Sequence, residues 1–195
     1  MKKWRRVLTG LNLVRALLPW IFLHTNRFSQ KCMMDLNEWI RHTPELQGQS
    51  RFWMFCYLLV TFKECRNILL NRLHRNPVMY VITRLLFHPL ESCYINMPPE
   101  DIGGGFSLQH GFSSIITARK IGENCRIFQQ VTVGYNGPYA PVIGDRVTIA
   151  AGAIVIGNVH VENDAYIGAG AVVTHDVKEK SIVAGVPARV IRMQQ

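Results

Sequence analysis

The second half of the chain repeats an aliphatic residue with a spacing centred on six positions. From Ile143 onward every step is six, and a less regular set precedes it; the members are Ile102, Leu108, Ile121, Ile127, Val133, Ile143, Ile149, Val155, Val161, Ile167 and Val173. A helix repeats every 3.6 residues and a strand every two, so neither explains this spacing. A three-sided coil does, because each unit supplies one short strand and one corner, and the aliphatic side chains stack along its axis.

The repeat is interrupted by one step of thirteen after Leu108 and one of ten after Val133. Residues 134–141, "GYNGPYAP", contain turn-forming residues and are predicted to bulge out as a loop. Roughly four coils fit between residues 102 and 178, which is enough for a stable solenoid.

The first half differs in both pattern and charge. Residues 1–94 hold 14 Lys and Arg against 5 Asp and Glu, whereas residues 95–195 hold 8 of each. Apolar residues recur at three- and four-residue steps over 4–22, as on one face of an amphipathic helix that Pro19 is expected to kink or end. Asn76 precedes a proline, which is a helix-start signal. We predict a basic helical domain at 1–94 and a β-helix domain at 95–195.

The cysteines and the charge limit where such a chain works and what it binds. The five cysteines are odd in number and form no C-x-x-C pair, so a reduced cytoplasm is expected. Charge-free runs are shorter than the roughly 20 residues of a membrane span. The basic helices could contact anionic lipid at the inner face of the membrane or an acidic polymer, or simply be solvated. No recognition motif accompanies the charge, so nucleic-acid binding is not expected.

Five motifs occur in order across residues 102–189: "IGGGFSLQH", "IFQQVTVG", "IAAGA", "IGAGAVV" and "AGVPAR". They resemble the serine O-acetyltransferase-like branch of the bacterial hexapeptide-repeat acyltransferases, and residues 62–73 resemble the helix that precedes the repeats there. The resemblance implies an α+β fold, in which an N-terminal amphipathic helical domain is followed by a left-handed parallel β-helix of hexapeptide repeats. It also implies acetyl-CoA as co-substrate, a hydroxyl acceptor, and a homotrimer that could pair into a hexamer.

In that branch the position of His110 carries the catalytic base. An alcohol is a poor nucleophile, and an imidazole can take its proton during attack on a thioester. The competing interpretation is that His110 only packs. Which group orients it stays open between Glu100, Asp101 and a backbone carbonyl. His160 and His175 match no catalytic position and are expected on the surface.

The resemblance also implies a coenzyme site. Ala151 and Ala169 match alanines whose backbone N–H groups bind the pantetheine arm; the further implied contacts are Gly134, Asn136, Arg189 and Arg192. The alternative interpretation of the two alanines is that tight corners require small residues. The alternative interpretation of the two arginines is that they are exposed tail residues. A metal-dependent hydratase of the γ-class carbonic anhydrase type needs imidazoles five residues apart, a spacing that His110 and His160 lack, so no metal is expected.

Three departures from the serine-specific relatives bear on the acceptor. Gln109 stands where they carry an Asp, Ile95 where they carry the carboxylate that orients the base, and Tyr139-Ala140 where they carry an Arg-His pair. An ionic substrate without counter-charges binds poorly. Free serine is therefore not the expected acceptor. The loop exit "YAPVIGD" resembles the relatives that acetylate sugars in bacterial surface-polysaccharide synthesis, and this resemblance implies a sugar or polysaccharide precursor as acceptor. A serine O-acetyltransferase of cysteine biosynthesis and a catalytically inactive oligomeric scaffold are the alternatives.

Overall fold

A computed structural model describes residues 3–194 of the chain. Six α-helices lie ahead of the strands within this range: α1 Lys3–Leu11, α2 Leu13–Thr25, α3 Ser29–Arg41, α4 Arg51–Thr61, α5 Lys63–Leu73 and α6 Pro77–Leu86. The predicted order of a helical region followed by strands is confirmed. None of these helices, among the residues described, is by itself long and apolar enough to cross a membrane, although α1 and α2 together reach that length and composition.

The helix boundaries follow local hydrogen bonding. Asn76 Oδ1 accepts from Met79 N at 3.1 Å, so α6 starts at the predicted cap. The helix does not end at Pro19, one of the two outcomes expected there, because α2 continues through this residue to Thr25. The break lies at Asn12, where α1 and α2 meet at 71°. There the Asn12 side chain donates to the Leu8 carbonyl at 2.8 Å, which closes the last turn of α1.

Fourteen short strands of the described chain form three sheets, the sides of a prism. The first sheet contains, in spatial order, β1 Cys93–Ile95, β3 Ser114–Ile116, β6 Thr132–Gly134, β9 Ile154–Ile156 and β12 Val172–Val173. The second contains β4 Lys120–Ile121, β7 Val142–Ile143 and β10 His160–Val161. The third contains β2 Ser107–Leu108, β5 Arg126–Ile127, β8 Thr148–Ile149, β11 Tyr166–Ile167, β13 Ser181–Ala184 and β14 Arg189–Met193. Every pair is parallel except β13 with β14.

The six-residue repeat forms the axis of the prism as predicted. In the third sheet Leu108 pairs with Ile127, Ile127 with Ile149, and Ile149 with Ile167. All the aliphatic residues of the repeat are at most 2% exposed. Neighbouring rungs therefore stack their side chains into one dry column.

The number of rungs and the loop at 134–141 can be compared directly with the sequence prediction. The first sheet has five strands among the described residues, one more than the four coils predicted, because β1 pairs with β3 and adds a rung before residue 102. The loop at 134–141 bulges out as predicted: Asn136 N donates to the Tyr139 carbonyl at 2.9 Å, and residues 135–139 are exposed.

The helices pack against the first coil. Helices α3 and α5 contact β2, and one apolar core runs through the helices and the coils. Residues 93 and 94, which the sequence assigns to the helical domain, lie in β1. The division at residues 94 and 95 stays a prediction.

Candidate active site

His110 lies at a corner of the prism, two residues after Leu108 of β2. The strand register places Gln129, Ala151 and Ala169 at the same corner on the following rungs, each two residues after its paired aliphatic residue. We call this column of four residues the His110 corner. Rungs are about 4.8 Å apart, so Ala151 lies about 10 Å from His110 along the axis.

The backbone of His110 is unusual and its side chain is accessible. Its φ is 56°, in the left-handed region that few residues other than glycine adopt. The side chain is exposed, in contrast to the buried Leu108 two positions earlier. His110 therefore does not pack in the core, and its imidazole is accessible to a ligand at the corner.

The alanines of the His110 corner leave backbone donors free. The N–H groups on either side of Ala151, those of Ala150 and Gly152, donate to carbonyls of neighbouring rungs at 2.9 and 3.0 Å. Within residues 3–194 neither the N–H of Ala151 nor that of Ala169 makes a backbone hydrogen bond. Ala169 is exposed and Ala151 is half-buried, so a ligand can reach both groups.

A different corner shows that small residues are not a general requirement of the coil. There, after β4 and β7, the Asp145 carboxylate accepts from Glu123 N at 2.8 Å, and the Asn163 side chain accepts from Asp145 N at 2.7 Å. Polar side chains thus satisfy the corner N–H groups on that edge. The alanines of the His110 corner cannot do so, which favours a ligand-binding role for them over a purely steric one.

Gln129 is a residue of this corner that the sequence analysis did not single out. Its Oε1 atom is buried and has no hydrogen-bond partner among the described residues. Leaving a buried acceptor unpaired costs about 1–3 kcal/mol, so a donor on a ligand would be favourable there. The signal in the sequence is a long polar side chain at a corner that holds alanine on later rungs.

Glu64 of the helical region lies close to Gly111, the residue that follows His110. A methyl group placed on Gly111 would be 3.4 Å from Cγ of Glu64 and 3.6 Å from Sγ of Cys93. Burial, and then the negative charge of Glu64, raise the pKa of Cys93 to about 12. Glu64 stands in the first turn of α5, inside the 62–73 segment, yet only the packing of that helix brings it next to the residue that follows His110.

Glu100 and Asp101 occupy a different part of the first coil. Arg75 Nε donates to Glu100 Oε2 at 3.3 Å, and this contact lowers the pKa of Glu100. Asp101 lies in the same short turn, just before Ile102, which bridges Ile121 of the second sheet. A full side of the prism, formed by β2, separates this turn from the His110 corner.

The remaining coenzyme candidates lie at two other places. Gly134 is buried at the end of β6, and Asn136 is exposed on the loop that follows. Both are at the far edge of the first sheet from the His110 corner, so one chain does not bring the two groups together. Arg189 follows a turn at 185–188, in which Gly185 O accepts from Val172 N at 3.0 Å.

That turn continues the His110 corner beyond Ala169. Arg189 and Arg192 are both exposed on β14, where Arg189 pairs with Ala184 and Arg192 with Ile182. His160 and His175 are exposed as predicted, on edges away from this corner. No cluster of His, Cys, Asp and Glu in residues 3–194 is arranged to hold a metal ion.

Comparison with known proteins shows which protein family this chain resembles. Residues 140–175 match the bacterial transferase hexapeptide family, described as six repeats. Serine acetyltransferase of Bacillus licheniformis is 42% identical over 99 residues, which is 48% of this chain and 46% of the relative. Serine acetyltransferase of Synechococcus elongatus is 38% identical over 119 residues, covering 57% of this chain and 48% of the relative. The chain thus spans about half the length of these curated relatives.

Solved structures extend the likeness into the helical region. The crystal structure of Neisseria gonorrhoeae serine acetyltransferase superimposes with a TM-score of 0.62 at 26% identity, covering 87% of this chain and 68% of that one. The soybean apoenzyme superimposes with a TM-score of 0.60 at 26% identity, covering 84% and 68%. By sequence and by fold, the chain resembles the serine O-acetyltransferase-like branch of the hexapeptide-repeat acyltransferases, as its motifs predicted.

Proposed function

We propose that this protein is an acetyl-CoA-dependent O-acetyltransferase in which His110 is the general base. The observation that carries the proposal is the His110 corner, where an exposed imidazole shares one column with the free N–H groups of Ala151 and Ala169. The likeness to serine acetyltransferases supports the same chemistry.

The reaction requires a base, a site for the thioester and donors for the oxyanion. His110 takes the proton of the acceptor hydroxyl as its oxygen attacks the thioester carbonyl, and the thiolate of coenzyme A leaves when the tetrahedral intermediate collapses. Backbone N–H groups of a rigid corner can bind the coenzyme or the developing oxyanion without reorganisation. Arg189 and Arg192 carry the positive charge that phosphates of a coenzyme require.

The two candidate acceptors are serine and a sugar hydroxyl, and the relatives favour serine. The curated relatives and the solved structures described above are serine acetyltransferases. The second is a sugar hydroxyl, which the neutral residues at the expected serine-binding positions favour: Gln109 and Ile95 are half-buried, and Ala140 is buried. These three residues offer no charge to an amino acid's carboxylate or ammonium group.

One acceptor experiment separates the candidates. Purified full-length protein is incubated with acetyl-CoA and either L-serine or a panel of sugars and nucleotide sugars, and the products are identified by mass spectrometry. O-acetylserine supports the first acceptor and an acetylated sugar the second. If calorimetry detects no coenzyme A binding and no acceptor is acetylated, the scaffold alternative holds and the enzyme proposal fails.

We also propose that the working unit is a trimer with the site between chains. Gly134 and Asn136 could then meet the His110 corner of a neighbouring subunit. The outer face of the first sheet supports this arrangement: Tyr94 and Ile115 pair in register there and are 62% and 49% exposed. Sedimentation velocity tests the assembly, and a monomer that binds coenzyme A fully would contradict it.

A further inference from the structure

Three helices of the N-terminal region expose large apolar side chains on their outer sides. Helix α2 lies against both α1 and α6. The side chains are between 39% and 79% exposed; they are Trp4, Val7, Leu8 and Leu11 on α1, Val14, Leu17, Leu18 and Ile21 on α2, and Val78, Val81 and Leu85 on α6. We call this set the apolar helix face.

The side chains of the apolar helix face are exposed because of the way the helices are oriented, and not because the core is poorly packed. Within each helix its members recur at three- and four-residue steps, so they share one side. The opposite sides of the helices pack inward through small or polar residues as well as apolar ones: Thr9 and Ala16 are fully buried on α1 and α2, and Thr83 on α6. An exposed apolar patch of this extent is typical of an interaction site.

The charged side chains on the three helices of this face have one sign. The sequence has no Asp or Glu between residues 3 and 34, and none between 65 and 90. Lys3 and Arg6 are exposed on α1, and Arg84 is exposed on α6. Whatever binds there meets positive charge together with apolar side chains.

The combination of positive charge and exposed apolar side chains discriminates among three candidate partners: a second copy of the chain, an acidic polymer and an anionic lipid surface. A second copy bound through the same face would bring like charges together, since a two-fold interface is self-complementary. An acidic polymer would match the charge but would leave the apolar side chains in water. An anionic lipid surface matches both, because its headgroups attract Lys and Arg while the region beneath accepts apolar side chains.

We infer that the apolar helix face docks on an anionic membrane surface and lies in the plane of the interface. Helices α1 and α2 contain 9 and 13 residues and meet at 71°, so neither is long enough by itself to span a bilayer. Trp4 stands near the start of α1, and tryptophan is enriched at the level of the headgroups. The inference is independent of the acetyl-transfer chemistry.

The test is vesicle flotation of the full-length protein without substrates. Vesicles are phosphatidylcholine alone or phosphatidylcholine with roughly one third phosphatidylglycerol. The charge variant is Lys3→Glu with Arg6→Glu, and the apolar variant is Leu11→Ser with Val14→Ser. Each basic residue near such a surface contributes about five-fold in affinity, so we expect at least about 25-fold weaker binding to anionic vesicles for the charge variant. The apolar variant should also lose binding.

Matched controls place the same changes on the β-helix. Lys120→Glu with Lys178→Glu reproduces the charge change, and Ile191→Ser with Met193→Ser removes exposed apolar side chains of the last strand. Both controls should bind within about two-fold of the unmodified protein. Thermal unfolding of every variant verifies that the protein is folded.

Three results would overturn the inference. The unmodified protein could fail to float with anionic vesicles, or both variants could bind as well as the controls. Alternatively, the apolar variant could dissociate a larger assembly in sedimentation velocity while no form binds vesicles, which would assign the face to contacts between copies. None of these results affects the acetyltransferase proposal, which is measured with acetyl-CoA.

Discussion

Arg72 of α5 and Asp35 of α3 form a buried ion pair, in which Arg72 Nε lies 2.9 Å from Asp35 Oδ2. Both partners also bind the first coil of the β-helix. Asp35 Oδ1 accepts from Phe106 N at 2.9 Å, and Arg72 Nη1 donates to the Ile102 carbonyl at 2.8 Å. This one pair therefore ties two helices to the part of the chain that leads to His110.

Replacing Arg72 by methionine should destabilise the protein strongly. The change leaves Asp35 buried without its counter-charge, and breaking such a pair costs about 3–5 kcal/mol in the free energy of unfolding. Urea unfolding followed by circular dichroism measures this. Arg75→Met is the control, since its partner Glu100 is exposed and little change is expected. Equal effects of the two substitutions would contradict the structural role of the pair.

His110→Ala should lower turnover by at least about 10²-fold, because the acceptor hydroxyl loses its general base. Binding of coenzyme A, measured by calorimetry, should be unchanged, since the free N–H groups of Ala151 and Ala169 remain. His175→Ala is the control, because His175 is exposed on another edge. Full activity of His110→Ala would exclude this residue from the mechanism.

Glu64→Gln tests whether this carboxylate positions His110. We expect kcat to fall by about 10-fold while KM for the acceptor stays unchanged, because a group that only orients the base acts in the chemical step. Glu91→Gln, an exposed carboxylate, is the control. An unchanged kcat would mean that Glu64 does not position His110.

Ala169→Leu tests the coenzyme corner. The leucine side chain would cover the free N–H groups, so we expect coenzyme A to bind about 10-fold more weakly. Stability should not change, because Ala169 is exposed. Lys120→Leu adds the same side chain on the second sheet and should leave binding intact. Unaltered coenzyme affinity of Ala169→Leu would move the site elsewhere.

The cysteines should be inert in the folded protein. Burial raises the pKa of Cys32, Cys93 and Cys125 to about 12 and that of Cys56 to about 11, and it also raises the pKa of Cys65. For a pKa near 12, the reactive thiolate fraction at pH 8 falls by about three orders of magnitude relative to a free thiol. A chromogenic thiol reagent should therefore react only after denaturation. Rapid reaction of the native protein would contradict the burial of the cysteines. If the native protein does not react, the same reagent can be used to follow the release of coenzyme A during turnover.

The sequence by itself determined the β-helix. A six-residue period assigns Ile149 and its equivalents to the interior, because each rung places one aliphatic residue on the axis, and the structure buries them all. The interrupted step at 134–141 likewise determined where a loop leaves the coil. His110 and the two alanines were identified from the motifs, because a motif is a local pattern that can be recognised in the sequence alone.

Only the tertiary structure decided what surrounds His110 and which way the helices face. Glu64 is 46 positions from His110 in the chain and reaches its neighbour Gly111 only because α5 packs on the first coil. The free N–H groups at Ala151 and Ala169 depend on bonds between rungs, which no local pattern specifies. The stripe that includes Leu11 and Val14 marks amphipathic helices, but helix periodicity does not tell a core-facing stripe from a docking face. That choice rests on which side the neighbouring helices cover.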